Sequence, residues 1–180
     1  SQTVGPFFKN ALLRTEFATL VNDRTRGERV VIEGFVLDGD RAPVSDAMVE
    51  TWQANAEGRY HHPADTQEKL LDLNFYGFGR VATGEYGSFR LVTIKPGPVP
   101  GGHGMLQAPH INVSLFARGL LKRLVTRIYF PDEPLNASDP VLNAVPPARR
   151  PTLIARREGG AILRFDIILQ GADETVFFDI

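Results

Sequence analysis

The stretch Thr93–Arg118 reads T-I-K-P-G-P-V-P-G-G-H-G-M-L-Q-A-P-H-I-N-V-S-L-F-A-R. It is a strand end, a loop and a second strand. Three prolines (Pro96, Pro98, Pro100) and four glycines (Gly97, Gly101, Gly102, Gly104) fall within nine residues. Proline fixes φ and glycine frees it, so neither helix nor paired strand persists across that segment. Alternation begins after Pro109. Ile111, Val113 and Leu115 fall on one face, and His110, Asn112, Ser114, Phe116 and Arg118 on the other, the period of two that marks a strand. A loop opening onto a strand whose polar face begins with His and Asn has the shape of a metal or substrate site.

Upstream, Arg29–Asp38 is a strand, closed by Gly39-Asp40 and Pro43, and Ala47–Gln53 alternates as a second, expected to form a hairpin with the first. Arg80–Ala82 and Ser88–Ile94 flank Thr83-Gly84-Glu85-Tyr86-Gly87 and read as another hairpin. Downstream, Leu120–Phe130 is expected to be one long strand. Asn136–Val145 and Thr152–Arg157 read as short helical pieces broken by prolines, and Ala161–Gln170 and Thr175–Asp179 as closing strands. Asn10–Val21 carries a weak helical pattern. Many short strands with turns between them and little helix predict a mainly β fold, an antiparallel β-sandwich with short peripheral helices and long loops. The 180 residues, 43% hydrophobic, suit a single domain spanning residues 1–180. An N-terminal arm of about residues 1–8 precedes it. That arm reads either as a frayed end or as a segment that docks elsewhere.

Composition excludes several classes. The net charge of −1 gives no general attraction to nucleic acid or anionic membrane. There is no cysteine, so disulfides, zinc-thiolate sites and thiol nucleophiles are absent. No apolar run reaches the roughly 20 residues of a membrane span. No leader segment is expected, and the cytoplasm is the default location.

Geometry removes further chemistry. His110 and Ser114 share a strand face, but four residues separate them by about 13 Å, far beyond the contact a nucleophile and its base require. His110 and Asn112 are about 6.6 Å apart along a strand, close enough to converge on one ion, yet Asn is a poor transition-metal ligand. Val99 and His103 are all that the preceding loop adds. His61 and His62 are adjacent and point to opposite faces of an extended chain. His110 therefore reads as a buried, hydrogen-bonded residue. Arg118 lies on the His110 face but about 26 Å away, so the two belong to different sites. Arg149, Arg150, Arg156 and Arg157 read as a solvated or subunit-facing surface.

The segments S-Q-T-V-G-P-F, V-E-T-W-Q-A-N-A-E-G-R-Y, D-L-N-F-Y-G-F-G-R, T-I-K-P-G-P-V-P, A-P-H-I-N-V-S-L-F-A-R-G, T-R-I-Y-F-P-D-E and R-F-D-I-I-L-Q-G-A-D-E-T-V-F-F-D-I resemble the intradiol ring-cleavage dioxygenases. The likeness runs in order over residues 1–180. It is nearest to the alpha chain of the family's two-chain members. The implied activity is O2-dependent cleavage of 3,4-dihydroxybenzoate (protocatechuate) to 3-carboxy-cis,cis-muconate. The implied cofactor is non-haem Fe(III), held by a partner beta chain through two tyrosines and two histidines, in a higher-order alpha-beta oligomer. Carried onto this sequence, those ligand positions fall at Gln67, Val99, His110 and Asn112, so the resemblance implies a vestigial metal site here and no catalytic residue in this chain. It assigns Thr3, Gly5, Pro6 and Arg118 to the partner's substrate pocket. Two other readings stay open. One is a self-sufficient intradiol enzyme with ligands drawn from Tyr60, His61, His62 and His110. The other is a non-catalytic β-sandwich scaffold.

Overall fold

The computed structural model describes residue 12 and residues 15–179. Two sheets face each other. The first is built on β1 (Arg29–Leu37), which pairs antiparallel with β4 (Ser88–Ile94) on one side. On its other side it pairs in parallel with β10 (Ile162–Arg164) and β11 (Ile167–Ile168), and β9 (Arg156–Gly159) lies beyond β10. The second sheet is antiparallel throughout, in the order β3 (Phe78–Ala82), β2 (Met48–Trp52), β7 (His110–Phe116), β8 (Leu124–Tyr129). Across the Pro/Gly-rich loop, where neither helix nor paired strand was expected, a two-residue pair, β5 (Val99–Pro100) with β6 (Leu106–Gln107), and a 3₁₀ turn at Gly102–Gly104 do form, both too short to need a regular run of backbone.

The alternation in the strands sets what each sheet buries. Val30, Ile32 and Val36 of β1 point inward, as do Leu91 of β4 and Leu163 and Ile167 beyond it. They meet Val49, Val81, Ile111, Val113, Leu115 and Ile128 from the second sheet. This is the apolar layer of a sandwich, and it removes from water the side chains that carry most of the stabilisation. The expected mainly β sandwich is what forms.

Several expected pairings do not. β1 and β2 are not a hairpin: β1 takes β4 as its antiparallel neighbour, and β2 lies in the opposite sheet. The turn at residues 83–87 likewise joins β3 of one sheet to β4 of the other. Its backbone closes locally, with Gly84 N donating to Ser88 O at 2.8 Å, but Gly87 O accepts from Val36 N while Thr83 N donates to Ala47 O. Each end of the turn is thus captured by a different sheet. Alternation reports which face of a strand is apolar, and it says nothing about which sheet receives that face. The strand expected over Leu120–Phe130 is confined to Leu124–Tyr129, because Gly119 has φ +84 and Leu120 N closes a turn on Ala117 O. The helical pieces are 3₁₀ turns at Pro134–Ala137 and Arg150–Leu153 and one five-residue α-helix, Pro140–Ala144. Arg156 and Arg157, expected to be helical, instead begin β9. The last expected strand survives as one bridge, Phe178 to Val125. Of the Asn10–Val21 segment, the described part holds a 3₁₀ turn at Thr15–Ala18. Among the described residues no helix is long and apolar enough to cross a membrane.

The face of the second sheet that turns away from the core is not left to solvent. Residues 130–155 fold back over it. Ala108 and Tyr129 pack there with Leu142, Val145 and Leu153 in a second, smaller apolar cluster. The loop between β2 and β3 covers the neighbouring part. The candidate site lies on this covered outer face.

Gly34 shows how closely β1 is approached. A Cβ there would lie 1.7 Å from the Phe165 carbonyl oxygen and 2.9 Å from the Phe89 ring. Backbone cannot yield as a flexible side chain can. Gly34→Ala should therefore lower stability by about 3 kcal/mol or more, read as a shift in the urea midpoint. A drop below about 0.5 kcal/mol would mean that β1 can be spread from Phe165 at little cost.

Candidate functional site

β7 and β8 pair with His110 opposite Tyr129 and Asn112 opposite Arg127. Directly opposed residues of an antiparallel pair share a face. These four side chains therefore form one patch on the outer side of the second sheet.

His110 is 3% exposed. Its Nδ1 lies 2.7 Å from the Ala108 carbonyl oxygen. A carbonyl only accepts, so Nδ1 carries the proton and Nε2 the lone pair. Burial disfavours the charged ring, the Arg127 guanidinium adds repulsion, and the pKa is pushed down to about 4. Tyr129 packs beside it, ring centroids 5.8 Å apart. Its hydroxyl donates to Asp139 Oδ1 at 3.0 Å. Burial raises the phenol's pKa far above its ordinary value.

Asp139 is fully buried, and four donors converge on it. Oδ1 takes Tyr129 and the backbone N–H groups of Val141 and Leu142; Oδ2 takes Ala108 N at 2.7 Å. It is the cap of the Pro140–Ala144 helix, and it ties that helix to the start of β7 and the end of β8. The Asp139-Pro140 pair is a legible cap signal in the sequence; its tie to Tyr129 is not.

Asn112 Nδ2 donates to the Trp52 carbonyl at 3.3 Å and to the Tyr60 hydroxyl at 3.4 Å. Tyr60 stacks on Trp52, centroids 5.9 Å apart and planes 14° from parallel. Burial raises its pKa also. Both rings border a cavity of about 420 Å³ that Gln67, Val99, His62 and Asp65 help to line. Burial works against the charge on Asp65, but N–H groups of Tyr60 and Gln67 bind the carboxylate and hold its pKa below the ordinary value. Gly58, at φ +79, lets the loop lie against the Pro98 carbonyl, which a Cβ would meet at 2.0 Å.

The structure thus puts Gln67 and Val99 on one cavity wall. Asn112 reaches that wall through Tyr60, and His110 is buried one pleat along. His61 and His62 diverge: His61 stacks on Tyr76, while His62 Nδ1 accepts from Ala64 N. His103 is in the 3₁₀ turn Gly102–Gly104. Arg118 lies beyond the far end of β7, 70% exposed in its side chain, with Nε paired to Asp46. Thr3, Gly5 and Pro6 fall outside the described residues. Sequence reasoning passed over Arg127, Asp139 and the Trp52–Tyr60 stack. Arg127 could have been found from its two-residue spacing to Tyr129 on a strand.

A protein-family model described as "Dioxygenase" matches residues 3–171. The chain is 42% identical to the protocatechuate 3,4-dioxygenase alpha chain of Burkholderia cepacia, over all of this chain and 96% of that one. It is 46% identical to the beta chain of the same organism's enzyme, over 86% of this chain and 69% of the relative. Among solved structures, the dioxygenase domain of a carbohydrate-binding fusion from Streptomyces sp. SirexAA-E is 31% identical, with a TM-score of 0.66, covering 86% of this chain and 88% of that one.

The chain belongs to the intradiol ring-cleavage dioxygenase family. That family depends on non-haem iron, so the donor set of this intradiol chain can be tested against ferric ion. Fe(III) is hard and favours anionic oxygen. The patch offers one imidazole, a neutral amide at Asn112, a guanidinium at Arg127 and the Tyr129 phenol, which burial and its bond to Asp139 keep protonated. Val99 is apolar. The Asp139 carboxylate is saturated by other donors. Among the described residues no three His, Asp or Glu side chains cluster as a metal site. The residues do not fit iron.

Two outcomes follow from this geometry. Asp139→Ala would strand the Ala108, Val141 and Leu142 donors and the Tyr129 hydroxyl, and should cost on the order of 3 kcal/mol in denaturant unfolding. His110 binds no proton in the folded chain until pH about 4, against 6.5 ordinarily. The unfolded chain therefore binds more protons in between, and stability should fall as pH drops from about 6.5 toward 4, by on the order of 3 kcal/mol. The pH dependence of the urea midpoint should flatten in His110→Gln; an unchanged profile would remove His110 as its source.

Proposed function

We propose that this chain is the alpha subunit of a protocatechuate 3,4-dioxygenase and that it serves the active site of a beta chain. The observation that carries this reading is a whole-length likeness to alpha chains in a chain whose own outer-face patch cannot take ferric ion. The reaction inserts both atoms of O2 into 3,4-dihydroxybenzoate and opens the ring between the two hydroxyl-bearing carbons, giving 3-carboxy-cis,cis-muconate. The iron belongs to the partner, in an alpha-beta oligomer, and this chain alone is inactive.

Its part is shape and charge. Gly5, lacking a side chain, suits close approach of backbone to an aromatic ring, and Pro6 limits the freedom the arm must lose on docking. Thr3 completes that segment. Arg118 supplies a fixed cation for the substrate carboxylate. Asp46 holds its Nε edge, which leaves the two Nη groups for a ligand while restricting where the fork can swing.

Iron content and visible absorbance of the chain expressed alone, and co-expressed with a beta chain, test the assignment. Iron, colour and ring cleavage should appear only in the complex; colour in the lone chain would instead favour a self-sufficient enzyme using Tyr60, His61, His62 and His110. In the complex, Arg118→Ala should raise KM for protocatechuate about tenfold with iron content unchanged. Unaltered kinetics would take Arg118 out of the pocket.

A further inference from the structure

Arg127 has no role in the reading above. It is one of the four residues of the patch where the resemblance would put the family's metal. His110 and Asn112 are about 6.6 Å apart along β7, and each faces its opposite number on β8 at a Cβ separation of about 5 Å. An ion shared by side chains at positions 110 and 112 would stand over this small square. Arg127 is one of its corners, opposite Asn112.

The guanidinium is not turned out to solvent. Arg127 is half-buried. Its Nη1 donates to Gln107 Oε1 at 2.6 Å and lies 3.4 Å from the Tyr129 hydroxyl. Gln107 precedes His110 by three residues, and Tyr129 faces His110 across the strands. These two contacts draw the cation along the patch toward the histidine. Its oxygen partners are neutral dipoles. Among the described residues no carboxylate pairs with it: Asp139 is already bound by four donors, and Asp65 is held by Tyr60 and Gln67. His110 and Tyr129 beside it are buried and Arg127 is half-buried, so water screens the charge only in part.

We propose that Arg127 takes the place of the metal: its guanidinium supplies the positive charge over the outer face of β7 and β8 and keeps metal cations out. The loss of ligands and the gain of this cation are then two separate barriers. Restoring a ligand while Arg127 remains should not restore a site. The proposal rests on the reading that positions 110 and 112 mark the vacated metal site, and its test uses neither the partner chain nor turnover, so it can fail while the assignment of function stands.

The probe is Co(II), titrated into the full-length chain and followed by visible absorbance and equilibrium dialysis. Asn112→His places a second imidazole two residues from His110, beside the Tyr60 hydroxyl that Asn112 now contacts. With Arg127 intact, that variant should bind Co(II) weakly. Asn112→His with Arg127→Gln should bind about 100-fold tighter, by removal of a nearby, partly screened like charge. Asn112→His with Arg127→Lys keeps the charge and should bind as weakly as the variant with Arg127. Asn112→His with Arg127→Met, also without charge, is read in place of the Gln variant if circular dichroism shows that the latter has not folded. Equal affinity with and without the charge, no binding by either included, overturns the proposal. So does a Lys variant that binds as tightly as the Gln variant.

Discussion

A single buried carboxylate organises the outer layer of this protein. Asp139 receives donors from the start of β7, the end of β8 and the first turn of the short helix after them. An unpaired carboxylate in that position would be untenable, and four good donors make it a tether. Because it tethers Tyr129, it also sets the position of the ring that packs on His110 and of the hydroxyl that Arg127 approaches. The chemistry of the patch depends on a residue that touches no ligand.

The sandwich and the patch use the same strands for different ends. Ile111, Val113, Leu115 and Ile128 face inward and build the core. One residue out of phase, His110, Asn112, Arg127 and Tyr129 face the covered outer layer. Sheet pleating lets the two faces change independently. The inner face can keep the fold while the side chains of the outer face change. This separation lets a chain share 46% of aligned residues with a beta chain of the family and still carry its own set of side chains on the outer face.

Much of the site was legible in residue order. His110 was expected to be buried and hydrogen-bonded, and its bond to Ala108 follows from the turn at Pro109. Asn112 and Val99, a neutral amide and an apolar side chain, could be read in order as poor partners for a transition metal. The pairing of strands was less legible. β1 with β4, and the crossover at residues 83–87, depend on which sheet captures each end of a turn, and local turn chemistry is the same either way. Arg127 is less legible for a related reason: as one of several basic residues interleaved along residues 120–130 it is not set apart by its local pattern, and its contacts with Gln107 and Tyr129 depend on the register of the sheet and the fold of the loop.

The sequence by itself determined the mainly β character, the inward and outward faces of β7 and the Pro/Gly-rich loop that ends at Pro109, because these are matters of local conformation and side-chain chemistry. Only the tertiary structure decided that β1 and β2 lie in different sheets, that Asp139 reaches Ala108 and Tyr129, and that Arg127 stands opposite Asn112 beside His110. Those are contacts between residues far apart in the chain, and their geometry is fixed by sheet register and by the packing of one layer on another, neither of which is written in the spacing of any one segment.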